Sequence, residues 1–144
     1  MYAMSEKPFF EAMMPTQLVE LLFFESVSAG FPSPAMDYMD KKLDLNELCI
    51  KNPSATFFIR VQGDSMQEAG IFEGDILIVD RSLKAKNRDI VVAVVEGDFV
   101  VKRYCPQGKK LFLIAENLNY LPIIIEEGTD FEIWGVVKKV IHHV

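Results

Sequence analysis

From Thr56 onward the chain is a succession of short β-branched and aromatic runs, each closed by a turn, and that alternation leaves little room for any fold that is not mainly β. The runs are Thr56–Val61, Ile76–Asp80, Ile90–Val95, Phe99–Tyr104, Leu111–Ala115 and Phe131–Ile141. Valine, isoleucine and phenylalanine pack well on a pleated surface, and most of the runs are too short for stable helices. Between them stand Glu73-Gly74-Asp75, Glu96-Gly97-Asp98 and Pro106-Gln107-Gly108, residues that turn a chain at low cost. Glu96-Gly97-Asp98 between two valine-rich runs predicts a hairpin. The expected architecture is a compact, bent antiparallel β-sheet or barrel.

Residues 1–43 differ in character. Pro8, Pro15, Pro32 and Pro34 interrupt them, and strand alternation is absent. Leu18, Leu21, Leu22 and Phe23 follow Pro15-Thr16 with the spacing of a short amphipathic helix, which would need a surface to lie against. Asp44-Leu45-Asn46-Glu47 has the form of a capping box opening a second short helix, closed by Asn52-Pro53. At 144 residues the chain is one domain with a flexible N-terminal arm.

Several chemistries are excluded by composition. With 15 basic and 21 acidic residues the formal charge is −6, which repels a phosphate backbone, so no direct tight DNA binding is expected. The only histidines, His142 and His143, are adjacent near the C-terminus. A histidine-based triad or a zinc site needs imidazoles held together in a structured site, so neither these nor any metal is expected. Cys49 and Cys105 form no C-x-x-C pair and read as reduced packing residues. No glycine-rich phosphate loop occurs, so no cofactor is expected. The longest apolar run, Ile90–Val95, falls well short of a membrane span, and the N-terminus has no secretory pattern, so the expected compartment is the cytoplasm.

One constellation remains. Ser65, in Gly63-Asp64-Ser65-Met66, follows a strand end and a glycine, a setting that exposes a hydroxyl and frees backbone N–H groups. The same tetrapeptide is also an ordinary turn. Without histidine, such a serine needs a lysine as base, and lysine becomes one only where burial disfavours its charge. Lys102 has the most apolar setting, in Phe99-Val100-Val101-Lys102-Arg103-Tyr104, where strand geometry puts it on one face with Val100 and Tyr104. A solvated edge-strand lysine fits the same residues.

These stretches resemble a known family. Gly63-Asp64-Ser65-Met66, Gly70-Ile71 and Glu73-Gly74-Asp75-Ile76-Leu77-Ile78-Val79-Asp80 are similar to the serine region of the LexA/UmuD self-cleaving serine–lysine peptidases. Asp89-Ile90-Val91-Val92-Ala93 and Val100-Val101-Lys102-Arg103 resemble its lysine strand. Upstream, Ala29-Gly30-Phe31-Pro32-Ser33-Pro34-Ala35-Met36-Asp37-Tyr38 is similar to the cleavage region of the UmuD-like members. Ala29 departs from the UmuD it is compared with, which carries Cys before the Gly; alanine is also small and is the residue of the LexA-type repressors.

The resemblance implies a LexA-like protease fold, with Ser65 as nucleophile, Lys102 as general base and Ala29-Gly30 as the bond cut. It implies residues 1–29 as an arm removed on self-cleavage and 30–144 as the protease and dimerisation domain. It further implies an SOS-response role: a RecA filament on single-stranded DNA stimulates the cut. The trimmed homodimer then joins UmuC in an error-prone translesion polymerase, DNA polymerase V. Leu22-Phe23 falls where the family has a pair associated with the sliding clamp. Residues 1–29 are too few for the helix-turn-helix of a repressor. The competing expectation is a catalytically silent module of the same fold that regulates a polymerase or repressor.

Overall fold

The computed structural model describes residues 9–11, 21–23, 29–30 and 41–144. Three short strands come first: β1 (Phe9–Glu11), β2 (Leu21–Phe23) and β3 (Lys41–Leu43). Helix α1 (Leu45–Cys49) follows, then β4 (Thr56–Arg60), β5 (Ile76–Asp80), β6 (Ile90–Val95), β7 (Asp98–Gln107), β8 (Lys110–Ile114), β9 (Ile123–Ile125) and β10 (Phe131–Ile141). Eight strands form one sheet in the order β1-β4-β5-β10-β6-β7-β8-β9, and all of its pairings are antiparallel. The mainly β expectation is met.

The expected helix around Leu18–Phe23 is not what forms at its described end. Leu21–Phe23 is a strand paired with Lys41–Leu43, because three consecutive apolar residues suit either period and pairing decides between them. Leu18 and the Phe31–Tyr38 stretch lie outside the described residues. The second helix does form: the Asp44 side chain accepts from the Asn46 N–H at 2.9 Å, and Pro53 opens a 3₁₀ turn beyond it.

Burial explains why β6 is apolar throughout. Val92 belongs to a core with Ile59, Met66, Ile71, Leu77, Val79 and Trp134. Its neighbours Val91, Ala93 and Val95 belong to a second core with Leu111, Leu113, Ile125 and Val136. Alternation along one strand therefore feeds both faces of the sheet.

Strand β10 carries two irregularities. Its register with β6 shifts between Ile133 and Gly135, which leaves Trp134 as an extra residue turned into the first core. There Phe57 and Phe99 meet the indole edge-on at 5.3 and 5.9 Å between ring centres, and the Arg81 guanidinium sits 4.4 Å from its centroid. Gly135 follows because nothing larger fits: a Cβ there would lie 2.5 Å from Val79 Cγ1. We expect Gly135→Ala to lower unfolding stability by about 1–3 kcal/mol, read as a shifted urea midpoint at unchanged slope.

Candidate active site

The loop after β4 is built to hold one hydroxyl. Val61 N–H donates to Asp75 O at 2.8 Å, Gly74 N–H donates to Val61 O at 2.9 Å, and Gly63 N–H donates to Glu73 Oε1 at 3.2 Å. Gly63 has φ +85°, a conformation glycine adopts without strain. The chain then sinks: Met66 is 2% exposed within the first core. Ser65, between an exposed Asp64 and a buried Met66, is half-buried. Among the described residues, neither the Ser65 nor the Met66 N–H donates to a protein acceptor.

Lys102 reaches this loop from the middle of β7. It pairs with Val91 of β6, which is fully buried, and shares a face with Val100 and Tyr104. Its Nζ donates to Ser65 Oγ at 2.8 Å, and the residue is 8% exposed. Burial pushes the Lys102 amine below the ordinary lysine range. Among the described residues no carboxylate offsets this. The neighbouring acid, Glu116, is held by Arg103 at 2.8 Å and lies 3.8 Å from Arg88. Because Arg103 follows Lys102 in a strand, it takes the opposite face and draws that acid with it.

A second loop closes over the pair. Asn117, 5% exposed, donates through Nδ2 to Asp64 O at 2.9 Å. The Tyr120 hydroxyl donates to Asp64 Oδ1 at 2.5 Å, which raises the phenol pKa. The Tyr120 ring centre is 5.6 Å from Lys102 Nζ. Glu116 ties the loop to the serine segment again, its N–H donating to Met66 Sδ at 3.4 Å and its carbonyl accepting from Glu68 N–H at 2.9 Å. Asn117 and Tyr120 carried no signal in the sequence, because loop residues have no periodicity to betray which of them turn toward the site.

The structure brings Ser65 and Lys102 together but leaves Ala29 and Gly30 exposed, with nothing within 4 Å of where a Gly30 Cβ would stand. The histidines take no part in the pair. His142 Nδ1 lies 2.6 Å from Asp75 Oδ1, and its ring packs 5.1 Å from that of Phe72. Burial pushes the Asp75 carboxyl up, but the Phe72 N–H and His142 outweigh it and hold the group below the ordinary carboxylate range. Among the described residues no cluster of three metal-ligating side chains occurs, and no helix is long and apolar enough to cross a membrane.

Chemically, a hydroxyl held against an amine that burial disposes to lose its proton can serve as a nucleophile with its base. Comparison with known proteins agrees in kind: residues 21–138 match the Peptidase S24-like family. The protein SamA of Salmonella typhimurium is 44% identical over 128 residues, covering 89% of each chain. The protein ImpA of Escherichia coli is 43% identical over 125 residues, covering 86% of this chain and 84% of its own. A LexA repressor from Shewanella piezotolerans is 44% identical over 100 residues, which is 69% of this chain but 48% of the repressor.

Proposed function

The chain belongs to the Peptidase S24-like family, and from that premise we propose that it is a serine endopeptidase acting on itself, cutting Ala29–Gly30 with Ser65 and Lys102. The observation that carries this reading is the 2.8 Å contact between a buried, uncompensated lysine amine and the Ser65 hydroxyl.

The reaction is acyl transfer. Neutral Lys102 takes the Ser65 proton as Oγ attacks the Ala29 carbonyl, and the oxyanion is held by the backbone N–H groups of Ser65 and Met66. The C–N bond to Gly30 breaks as the charged Lys102 returns the proton to the leaving amine. Water, deprotonated by the same amine, then releases the acyl group from Ser65. Tyr120 and Asn117 hold Asp64, and hence the serine loop, in place. Gly30 lets the scissile backbone bend into the site, and tethering makes the substrate locally concentrated.

Because Ala29 and Gly30 stand in solvent, cutting requires the arm to dock. A factor that favours the docked state accelerates the reaction by shifting that population. In our reading this factor is a RecA filament on single-stranded DNA, and the setting is SOS mutagenesis in the cytoplasm. Residues 1–29 are the arm that is removed. Residues 30–144 dimerise and serve a UmuC-type polymerase subunit in translesion synthesis, with Leu22-Phe23 as a contact for the sliding clamp.

A silent interaction module of the same fold is the second reading, favoured by the undocked bond. Intact mass after incubation with RecA, single-stranded DNA and a nucleotide separates the two. Loss of residues 1–29 is expected, and an unchanged mass would leave the silent module.

A further inference from the structure

A cavity of about 270 Å³ lies beside α1 and the β5–β10 pair, and it shares no residue with the Ser65–Lys102 site. Ile78, 2% exposed, forms its floor, while Leu48 and Leu83 stand in its wall at 42% and 41% exposure. Large apolar side chains left this open around a buried floor are unusual enough to ask what covers them. Lys51, Lys138 and Lys139 also line the cavity.

The last two lysines reach it through a distortion of the backbone. Neighbours in a strand normally face opposite ways. Here β10 slips register against β5 between Val137 and Lys139, and Val137 and Val140 both pack on the first core. The two residues between them are thereby turned to the other face together, which places two adjacent ammonium groups at one opening. Among the described residues neither forms an ion pair within 4 Å. Burial pushes the Asp80 carboxyl up, but hydrogen bonds from Ser82 and Asn52, helped by the charge of Lys138, outweigh it and hold the group below the ordinary carboxylate range.

Asp80, the acid that lines the cavity, is already engaged. It is 4% exposed, with Oδ2 accepting from Asn52 Nδ2 at 2.8 Å and Oδ1 from the Ser82 N–H and hydroxyl at 2.8 and 2.6 Å. Three cations around an apolar hollow stand out on a chain whose formal charge is −6.

We propose that this cavity binds an acidic peptide segment of a partner protein, seating one large apolar side chain against Ile78, Leu48 and Leu83 while flanking carboxylates pair with Lys51, Lys138 and Lys139. The chemistry selects this class over a nucleic acid. A phosphate backbone gains nothing from an apolar floor, whereas a peptide can place a large apolar side chain there between its carboxylates. The volume suits one or two side chains rather than a cofactor. The lysines supply orientation and encounter rate, and the apolar contact supplies retention.

The test is a titration of the ¹⁵N-labelled full chain with an acetylated decapeptide of alternating glutamate and leucine. Saturable shifts are expected at Leu48, Ile78 and Leu83. A lysine–leucine decapeptide and a ten-nucleotide oligothymidine should leave these resonances unmoved. The double variant Lys138→Glu, Lys139→Glu should weaken binding at least tenfold while keeping a dispersed spectrum. The equal charge change Lys109→Glu, Lys110→Glu, at a distant hairpin, should leave it within twofold. No saturable shift at these three residues, an equal response to the oligonucleotide, or the same loss in both variants would overturn the proposal.

Discussion

Lys102→Ala should reduce loss of residues 1–29 by about four orders of magnitude and remove its dependence on pH, the size of effect seen when one member of a catalytic unit is deleted. On the proposed mechanism the neutral fraction of Lys102 sets the rate in the parent chain. Burial disfavours the ammonium, so its pKa lies below the ordinary value of about 10.4. Below that lowered value each pH unit multiplies the neutral fraction about tenfold, and the rate should climb with unit slope before levelling off. Spontaneous cleavage without any stimulating factor, followed by intact mass from pH 7 to pH 11, reads both slope and plateau. The same burial costs folding stability while the amine is charged. That cost diminishes as pH rises through the folded value, because the unfolded chain then binds more protons than the folded one. The variant should lose this pH-dependent contribution as well.

Ser65→Ala should be comparably inert, with a different signature. Its cleavage should fall by about 10⁴-fold or more at every pH, including those where Lys102 is fully neutral, because no oxygen remains to carry the acyl group. The fold should persist. Ser65 is half-buried, and its side chain's partner is an amine that can lose its proton rather than remain an unpaired buried charge. A cooperative urea transition with the parent's slope checks this. Mixing the two variants adds information: cleavage in Ser65→Ala plus Lys102→Ala would require a hybrid site assembled from two chains.

How far the sequence foretold this arrangement depends on whether each feature is local. The apolar run Ile90–Val95 announced a strand, and it is one; its burial on both faces, with Val92 in one core and Val91 in the other, comes from the packing of the sheet. Glu96-Gly97-Asp98 announced the β6–β7 hairpin, which pairs Val95 with Asp98. Alternation placed Lys102 with Val100 and Tyr104, as the register does. Strand β9 went unseen because Ile123–Ile125 is too short to display a period.

The slip of β10 at Lys138-Lys139 was hidden because nothing there marks an extra residue, whereas Gly135, alone inside an apolar strand, carries a bulge signal without saying which neighbour is the extra one. Both slips follow from which neighbours must fit against Val79 and Ile78. The apposition of Ser65 with Lys102 is likewise a long-range event. Residue types made them a possible pair, but only the path through Met66, Glu116 and Asn117 presses the serine loop onto β7. The arm was the least legible part, since Leu21–Phe23 suits helix and strand equally and takes its form from Lys41–Leu43.

The proposed reaction turns on the protonation of one amine, and that can be followed directly. With lysine side chains ¹⁵N-labelled and Lys102 assigned by its absence from Lys102→Ala, the Nζ resonance can be titrated from pH 6 to pH 11 in the uncut Ser65→Ala chain. An inflection below the ordinary lysine value, coinciding with the break in the parent's cleavage profile, is the predicted result. Titration of Lys102 at the ordinary lysine value would contradict it.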